Sequence, residues 1–319
     1  MKDLHALPKV RDSLSYLYVE HKRIDQEDKA IALHDVDGKT PVPCASLTTL
    51  LLGPGTSITH AAIRTLADNG CLVLWTGEGS VRFYAQGMGE TRSARNLLLQ
   101  ARLCSDPTLR LKVVRRMYEM RFSDPLDSGL TLQQIRGREG IRVREAYARA
   151  SRESGVEWKG RSYRRDNWRD ADPINRALSA ANSCLYGVCH AAIVSTGYSP
   201  ALGFIHTGKM LSFVYDIADL YKVNITVPLA FKAVAEDATN LENRVRRACR
   251  DQFYQDSLLQ RIVPDIEKVL SAGGVTLSES ADFDRPDEPP GGLWEPDSSE
   301  SQGGINYADE IQREPEPWS

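Results

Sequence analysis

The chain has 319 residues, of which 41% are hydrophobic and 26% charged, with a formal net charge of −3; that profile excludes a fibre or a wholly disordered chain and makes two globular domains the default expectation. Met1 to Val10 carries charge and Pro8 but no apolar run, so neither a secretory signal nor a transit peptide is readable there. The contiguous apolar stretches, such as Cys71 to Trp75, fall far short of the roughly 20 residues that cross a bilayer, which points to the cytoplasm and to no membrane partner.

Leu14 to Glu20 alternates, with Leu14, Tyr16 and Tyr18 on one side and Leu17 and Val19 on the other, and Ala30 to His34 repeats the habit. Both are predicted strands, because successive side chains of a strand face opposite ways. Asp37-Gly38 is a hairpin turn signal, since both residues tolerate positive φ. Leu47 to Leu52 and Cys71 to Trp75 are short apolar runs bounded by turn residues, with a helix-like stretch, Thr59 to Asp68, between them, and Val81 to Ala85 closes the β-rich unit. After Gly87-Met88-Gly89 the period becomes helical, over Ser93 to Cys104, Pro107 to Phe122, Thr131 to Glu153, Pro173 to Thr196, Gly208 to Lys222 and Glu242 to Leu270. Thr131 with Gln134 makes a capping box, and Asp172 places an oxygen acceptor before a proline at the first helical position.

The expected architecture is therefore α+β: a small β-rich N-terminal domain over 1–88, a larger all-α catalytic domain over 89–273, and an acidic, Pro- and Gly-rich tail over 274–319. The tail holds 12 Asp and Glu against Arg285 and Arg313, a net −10, which leaves +7 on the remainder. A basic body suggests a polyanion-binding surface, and the tail either competes with that polyanion, orders upon it, or merely solubilises the chain. So polar a segment cannot bury enough apolar surface to offset its ordering entropy and is expected to be disordered alone.

The six cysteines, Cys44, Cys71, Cys104, Cys184, Cys189 and Cys249, lack CxxC spacing and read as reduced, buried fillers. Cys184, Cys189 and His190 lack the further partners a closed zinc site needs.

The segment Gly203 to Tyr221 is the most informative. Treated as a helix from about Gly208, it puts Lys209, Ser212, Asp216 and Asp219 on one face and Leu211, Val214, Ala218 and Tyr221 on a buried stripe. The two carboxylates repel, and Asp219 meets the unfavourable end of the helix dipole; a bound cation would reverse both penalties, and His206 could add an imidazole nitrogen. The bland alternative is a solvated face with an ordinary loop histidine. In Gln134 to Arg144, Gly137 and Gly140 each cost about 1 kcal/mol relative to alanine within a helix, which asks for either close backbone approach or room for a ligand. Four arginines, Arg136, Arg138, Arg142 and Arg144, surround Glu139. That carboxylate either pairs with Arg136 or Arg142 or reaches a metal whose substrate phosphate the arginines hold. Trp158 to Arg169 interleaves cations, Arg161 and Arg164 among them, with the rings of Tyr163 and Trp168, as a nucleic-acid surface requires. Arg244, Arg246, Arg247 and Arg250 add helix-borne positive charge, as do Arg110, Lys112, Arg115 and Arg116.

Gly203 to Tyr221, Arg136 to Arg144 and the stretch Asn175 to Val188 together resemble the CRISPR-associated protein one family, type I-E branch, and the likeness extends from about Val10 to Gly273. The resemblance implies a metal-dependent DNA integrase of CRISPR spacer acquisition, which joins protospacer 3′-hydroxyl ends into the repeat by transesterification and also cuts branched DNA. It implies that Glu139, His206 and Asp219 hold one Mg²⁺ or Mn²⁺, with Asp216 a further acidic position beside it. DNA contacts are expected at Arg64, Arg82, Arg136, Arg138, Arg142, Arg161, Tyr163, Arg164, Trp168, Arg244, Arg246, Arg247 and Arg250, and the resemblance places Lys209 and Tyr215 in the pocket that reads the protospacer-adjacent motif. Partners implied are double-stranded protospacer and repeat DNA, a second copy of the chain, a heterohexamer with CRISPR-associated protein two, and a DNA-bending host factor. Where the branch can present a tyrosine wedge at the fork of the captured duplex, this chain has His21. No GxxxxGK[ST] phosphate loop is present, in keeping with an exchange of one phosphodiester for another. A structure-specific repair nuclease and a non-catalytic DNA scaffold are the alternatives.

Overall fold

The computed structural model describes residues 16–275, apart from 29, 37, 45–46, 48, 79–80, 88–93, 162–171 and 238, together with 293–294 and 300–301. A β-rich N-terminal region of two sheets precedes an all-helical domain. In the first sheet, β1 (Tyr16–Val19), β5 (Thr49–Leu52) and β7 (Leu72–Thr76) run parallel, and β8 (Phe83–Gly87) pairs antiparallel with β7. In the second, β2 (Arg23–Glu27) lies between β3 (Ala30–Asp35) and the short β6 (Ser57–Ile58), with β4 (Gly38–Pro43) on the outer edge. Helix α1 (His60–Asp68), capped by Thr59, completes this region.

Alternation along the parallel strands explains how the two regions meet. Leu50, Leu52 and Val73 point into a core shared with Ile24, Ile31 and Leu33 of the second sheet and Leu66 of α1. Leu51, Leu72 and Leu74 point the other way and bury Ala191 and Val194. A parallel sheet covered on both faces reads as an unbroken apolar run, which is why Leu50 to Leu52 shows no polar alternation. The expected strands at 30–34, 47–52 and 71–75 and most of that at 14–20 are thus present, as is β4, the second arm that the hairpin signal calls for, whereas β2 and β6 lay outside the sequence expectation. Asp37 of the hairpin signal lies outside the described residues, although Asp35 faces Gly38 across β3 and β4 as a tight hairpin requires.

The helical domain comprises α2 (Arg95–Ser105), α3 (Pro107–Glu119), α4 (Leu132–Ser154), α5 (Pro173–Ser195), α6 (Ser212–Ala218), α7 (Thr226–Glu236), α8 (Leu241–Gln255) and α9 (Leu258–Leu270). Both expected caps form: Thr131 and Gln134 exchange capping-box hydrogen bonds, and Asp172 accepts from the Asn175 amide. Helix α5 is the axle. Its 23 residues are apolar and long enough to cross a membrane by length and composition, unlike any contiguous apolar run in the sequence, but 72% of the qualifying window is buried inside the protein. Gly187 lets α5 approach the N-terminal region, since a Cβ there would lie 2.6 Å from the Val81 carbonyl. His190 stacks on Phe83 at 3.8 Å between ring centroids, and burial holds its pKa down at about 4, so it is a neutral packing residue. All six cysteines are free thiols, in line with their reading as fillers.

Two helical expectations need correction, and one helix lay outside them. The predicted helix from Gly208 starts only at Ser212, because Gly208 has φ +78° and Lys209 and Ser212 form a closed turn through the Ser212 hydroxyl. The predicted single helix over 242–270 is two helices, broken where Ser257 adopts φ 46°. Helix α7 lay outside the sequence expectation; its Pro228 sits in the first turn, where the missing N–H costs nothing. The boundary near 88 and most of the tail, including its expected disorder, lie outside the described residues; Leu293–Trp294 pairs antiparallel with Glu300–Ser301.

Candidate active site

The segment between α5 and α6 is a loop held from three sides. Gln100 of α2, fully buried, donates to the Ser199 and Leu202 carbonyls at 3.0 and 2.9 Å and accepts from the Ser199 amide at 2.7 Å. Arg110 of α3 donates to the Phe204 carbonyl through Nε and Nη2, at 3.0 and 2.7 Å. Gly203 permits the tightest part, where a Cβ would sit 2.3 Å from the His206 carbonyl oxygen. The third clamp is Asp216, which the helix-face argument put on one face with Ser212 and Asp219, either beside a cation or, in the bland alternative, in solvent. It is instead 0% exposed, and Ser212 is buried with it. Its carboxylate accepts from the amides of Phe204, Ile205 and His206 at 2.6, 3.1 and 2.9 Å and from His206 Nδ1 at 2.7 Å. Four hydrogen bonds satisfy a buried carboxylate that would otherwise be costly.

That arrangement fixes His206. With Nδ1 held by Asp216, the free nitrogen is Nε2, and the ring remains 43% exposed. The Asp216 hydrogen bond lifts the imidazole pKa above its usual value; burial opposes this, and the charges of Asp216 and Asp219 add to it. Asp219, at the end of α6, takes Lys222 Nζ at 2.5 Å on Oδ1 and faces Arg121 Nη1 at 3.7 Å through Oδ2. Burial pulls the Lys222 pKa down, but Asp219, with Tyr186, more than offsets it and the net shift is upward. Glu139, on α4, is gripped by Arg142 at 2.7 and 2.9 Å and reaches the same Arg121 Nη1 at 3.4 Å. Glu139 and Asp219, 80 residues apart in sequence, therefore share one guanidinium nitrogen. Among the described residues no three His, Cys, Asp or Glu side chains form a ready ligand cluster; Glu139 and Asp219 are each turned toward cations of the chain.

A family described as CRISPR associated protein Cas1 matches residues 15–124 and 121–268, which is most of the chain and includes every residue of this site. The chain belongs to the Cas1 family of CRISPR-associated endonucleases. A curated relative from Thermus thermophilus, named CRISPR-associated endonuclease Cas1 2, is 57% identical over 306 residues, 96% of this chain and 94% of that protein. A Geobacter sulfurreducens relative, named CRISPR-associated endonuclease Cas1, is 46% identical over 269 residues, 84% of this chain and 88% of its own. The crystal structure of a TtCas1–DNA complex matches with a TM-score of 0.78 and 60% identity, over 83% of this chain and 99% of that one.

In this Cas1-family chain the basic residues divide by what they already hold. Arg64, Arg82, Arg136, Arg138, Lys209 and Arg247 are exposed. Arg161 donates to Asn175, Arg244 pairs with Glu236, Arg246 with Asn243, and Arg250 with Glu78 and Asp251. Arg110 and Arg115 spend their donors on backbone carbonyls and so serve the loops. Tyr215 packs edge-on to Tyr186 and His206, with centroids 5.0 and 5.9 Å away. His21 is exposed at φ 53° beside Gly55. Tyr163, Arg164 and Trp168 lie outside the described residues. Sequence reasoning missed Gln100, Arg121 and Lys222, which carry no motif of their own.

Gly137 and Gly140 have nothing within 4 Å of where a Cβ would stand. Close packing against the described residues is therefore not their reason, and room on that face remains among them. Replacing either with alanine is expected to stabilise the free protein by about 1 kcal/mol, read as a higher melting temperature; an unchanged or lower one would show that the backbone there is not ordinary helix.

Proposed function

We propose that the chain is a metal-dependent DNA integrase of CRISPR spacer acquisition, of the type I-E branch, which joins protospacer 3′-hydroxyl ends into the repeat and also cuts branched DNA. The observation that carries the reading is the meeting of Glu139 and Asp219 at one nitrogen of Arg121, with the free Nε2 of His206 on the adjoining loop. Two carboxylates and one imidazole are a donor set that suits Mg²⁺ or Mn²⁺. An imidazole whose other nitrogen is fixed by a carboxylate is the usual form of a metal-binding histidine. The donors therefore fit the ion, which Glu139, Asp219 and Nε2 of His206 would hold.

When bound, such an ion supplies Lewis acidity at the scissile phosphate and charge opposite the departing 3′ oxygen. The protein does the rest. Arg136, Arg138 and Arg142, on the helix that bears Glu139, neutralise backbone phosphates and set the strand's register. Asp216 keeps the imidazole in one tautomer. The 3′-hydroxyl of the incoming strand attacks as one P–O bond breaks and another forms, so no nucleotide triphosphate is consumed. Two such exchanges insert both strands.

The reading further assigns the β-rich domain over 1–88 to dimerisation and DNA contact, with catalysis in 89–273. Arg64, Arg82, Arg161, Tyr163, Arg164, Trp168, Arg244, Arg246, Arg247 and Arg250 line the DNA path, Lys209 and Tyr215 read the adjacent motif, and His21 sits at the fork. Two homodimers would flank CRISPR-associated protein two in the cytoplasm, with a host factor bending the repeat. Support for DNA as the partner comes from the 60% identical relative solved with DNA.

The test is incubation with the small partner, a hydroxyl-ended duplex and a repeat-bearing supercoiled plasmid in Mn²⁺. Joining is expected with 3′-hydroxyl ends and should vanish with 3′-dideoxy ends. Cutting with no joining under either condition would favour the nuclease that uses water as its attacker.

A further inference from the structure

Arg121 follows α3 and its side chain is only 4% exposed. A buried guanidinium ordinarily spends its rigid fork on partners, as Arg142 does with both oxygens of Glu139. Arg121 does not. Its Nη1 alone has partners, Glu139 Oε1 at 3.4 Å and Asp219 Oδ2 at 3.7 Å, while Nε and Nη2 are buried with no hydrogen-bond partner among the described residues. The ring of Tyr118 lies 5.0 Å from its Cζ. Leaving two donors unpaired in the interior is costly, and both contacts it does make are long. A strut would be expected to grip one carboxylate by both arms; Arg121 is instead held between two carboxylates that each have a closer cation, Arg142 and Lys222.

We propose that Arg121 is a built-in counter-cation, which holds Glu139 and Asp219 together in the free protein and competes with the divalent ion for them, so that it sets the site's metal affinity. The proposal rests on the reading of Glu139 and Asp219 as metal-binding carboxylates. Arg121, Arg142 and Lys222 already balance Glu139, Asp216 and Asp219 in charge, so an arriving dication adds charge that the surroundings do not offset. Removing one cation from the cluster favours the ion; removing a mere strut does not. Arg121 is in this sense a positioning residue whose charge opposes the ion it makes room for.

The experiment measures Mn²⁺ binding to the free protein by electron paramagnetic resonance, with melting curves in EDTA and in Mn²⁺. Arg121→Met is expected to bind Mn²⁺ about tenfold more tightly or better, because a full charge within a few ångströms has been withdrawn. It should melt lower than wild type in EDTA and recover in Mn²⁺. Arg121→Lys, which keeps the charge, should bind like wild type. If Arg121→Met does not fold in EDTA, the proposal requires that Mn²⁺ restore folding. Equal or weaker Mn²⁺ binding by a folded Arg121→Met, or a melting loss that Mn²⁺ leaves untouched, would overturn it. Glu139→Ala and Asp219→Ala separate the two ideas. If they bind Mn²⁺ as wild type does, the underlying reading fails; if they lose it while Arg121→Met gains nothing, only the counter-cation role fails.

Discussion

Glu139→Ala is expected to lower the rate of DNA joining by about a thousandfold or more while leaving duplex binding intact. Charge stabilisation at a scissile phosphate is worth several kcal/mol, and each 1.4 kcal/mol or so is about tenfold in rate. The loss should therefore sit in the chemical step. The same substitution frees the Arg142 fork and one of the two contacts of Arg121. Arg142, at 20% side-chain exposure, can turn to solvent, and Arg121 keeps Asp219, so the fold should lose only about 1–3 kcal/mol. Removing a negative charge from a basic helix face weakens no phosphate contact. Gel shift should accordingly show affinity equal to or above wild type. Glu139→Gln, which keeps shape and hydrogen-bonding capacity but not charge, should be as inactive in joining and closer to wild type in stability. Joining at the wild-type rate by Glu139→Ala would remove Glu139 from the site, however well the protein still bound DNA.

Much of this fold is legible in the residues. The parallel strands announce themselves through apolar runs such as Leu50 to Leu52, because burial on both faces leaves no room for polar alternation. The helices with Thr131 and Asp172 at their starts are marked by side chains that accept from orphan amides. What escaped notice has identifiable physics. The extent of strand β4, Gly-Lys-Thr-Pro-Val-Pro, implied only by the hairpin signal before it, is hidden by two prolines that only an outer strand tolerates. Helix α7 places Pro228 where it does no harm, and Ser257 interrupts an apolar period that itself runs on unbroken.

Glu139, His206, Asp216 and Asp219 were each singled out in the sequence, but the burial of Asp216 was not legible there. Offsets along an assumed helix put Asp216 beside Asp219 on one shared face, but the helix starts four residues later and the preceding loop turns three amides inward onto Asp216 alone. A carboxylate has four lone-pair positions, and these amides with the His206 ring fill them. Nothing in a one-dimensional pattern distinguishes an aspartate that faces water from one that faces backbone N–H groups 10, 11 and 12 residues upstream. Arg121 was equally silent, being one arginine among 40 basic residues.

That inward-facing carboxylate makes Asp216→Ala the substitution expected to damage stability most. Removing it orphans the amides of Phe204, Ile205 and His206, of which the Phe204 residue is itself buried. An unsatisfied buried donor costs about 1–3 kcal/mol, so the loss should be roughly 4–6 kcal/mol after the loop relaxes. For a helical domain of this size that corresponds to a fall in melting temperature of about 10–20 °C. Asp216→Asn keeps one acceptor oxygen and turns an NH2 group on the remaining donors, so it should fall between the two. The effect on the metal follows by a separate route. Freed of Asp216, the His206 ring no longer presents Nε2 in a fixed tautomer, and loss of such an orienting partner typically costs about 10- to 100-fold in metal affinity. Mn²⁺ titration of Asp216→Asn at a temperature where it remains folded reads this directly. A variant that melted like wild type would show that the three amides find other partners, and the loop would then owe its shape to Gln100 and Arg110 alone.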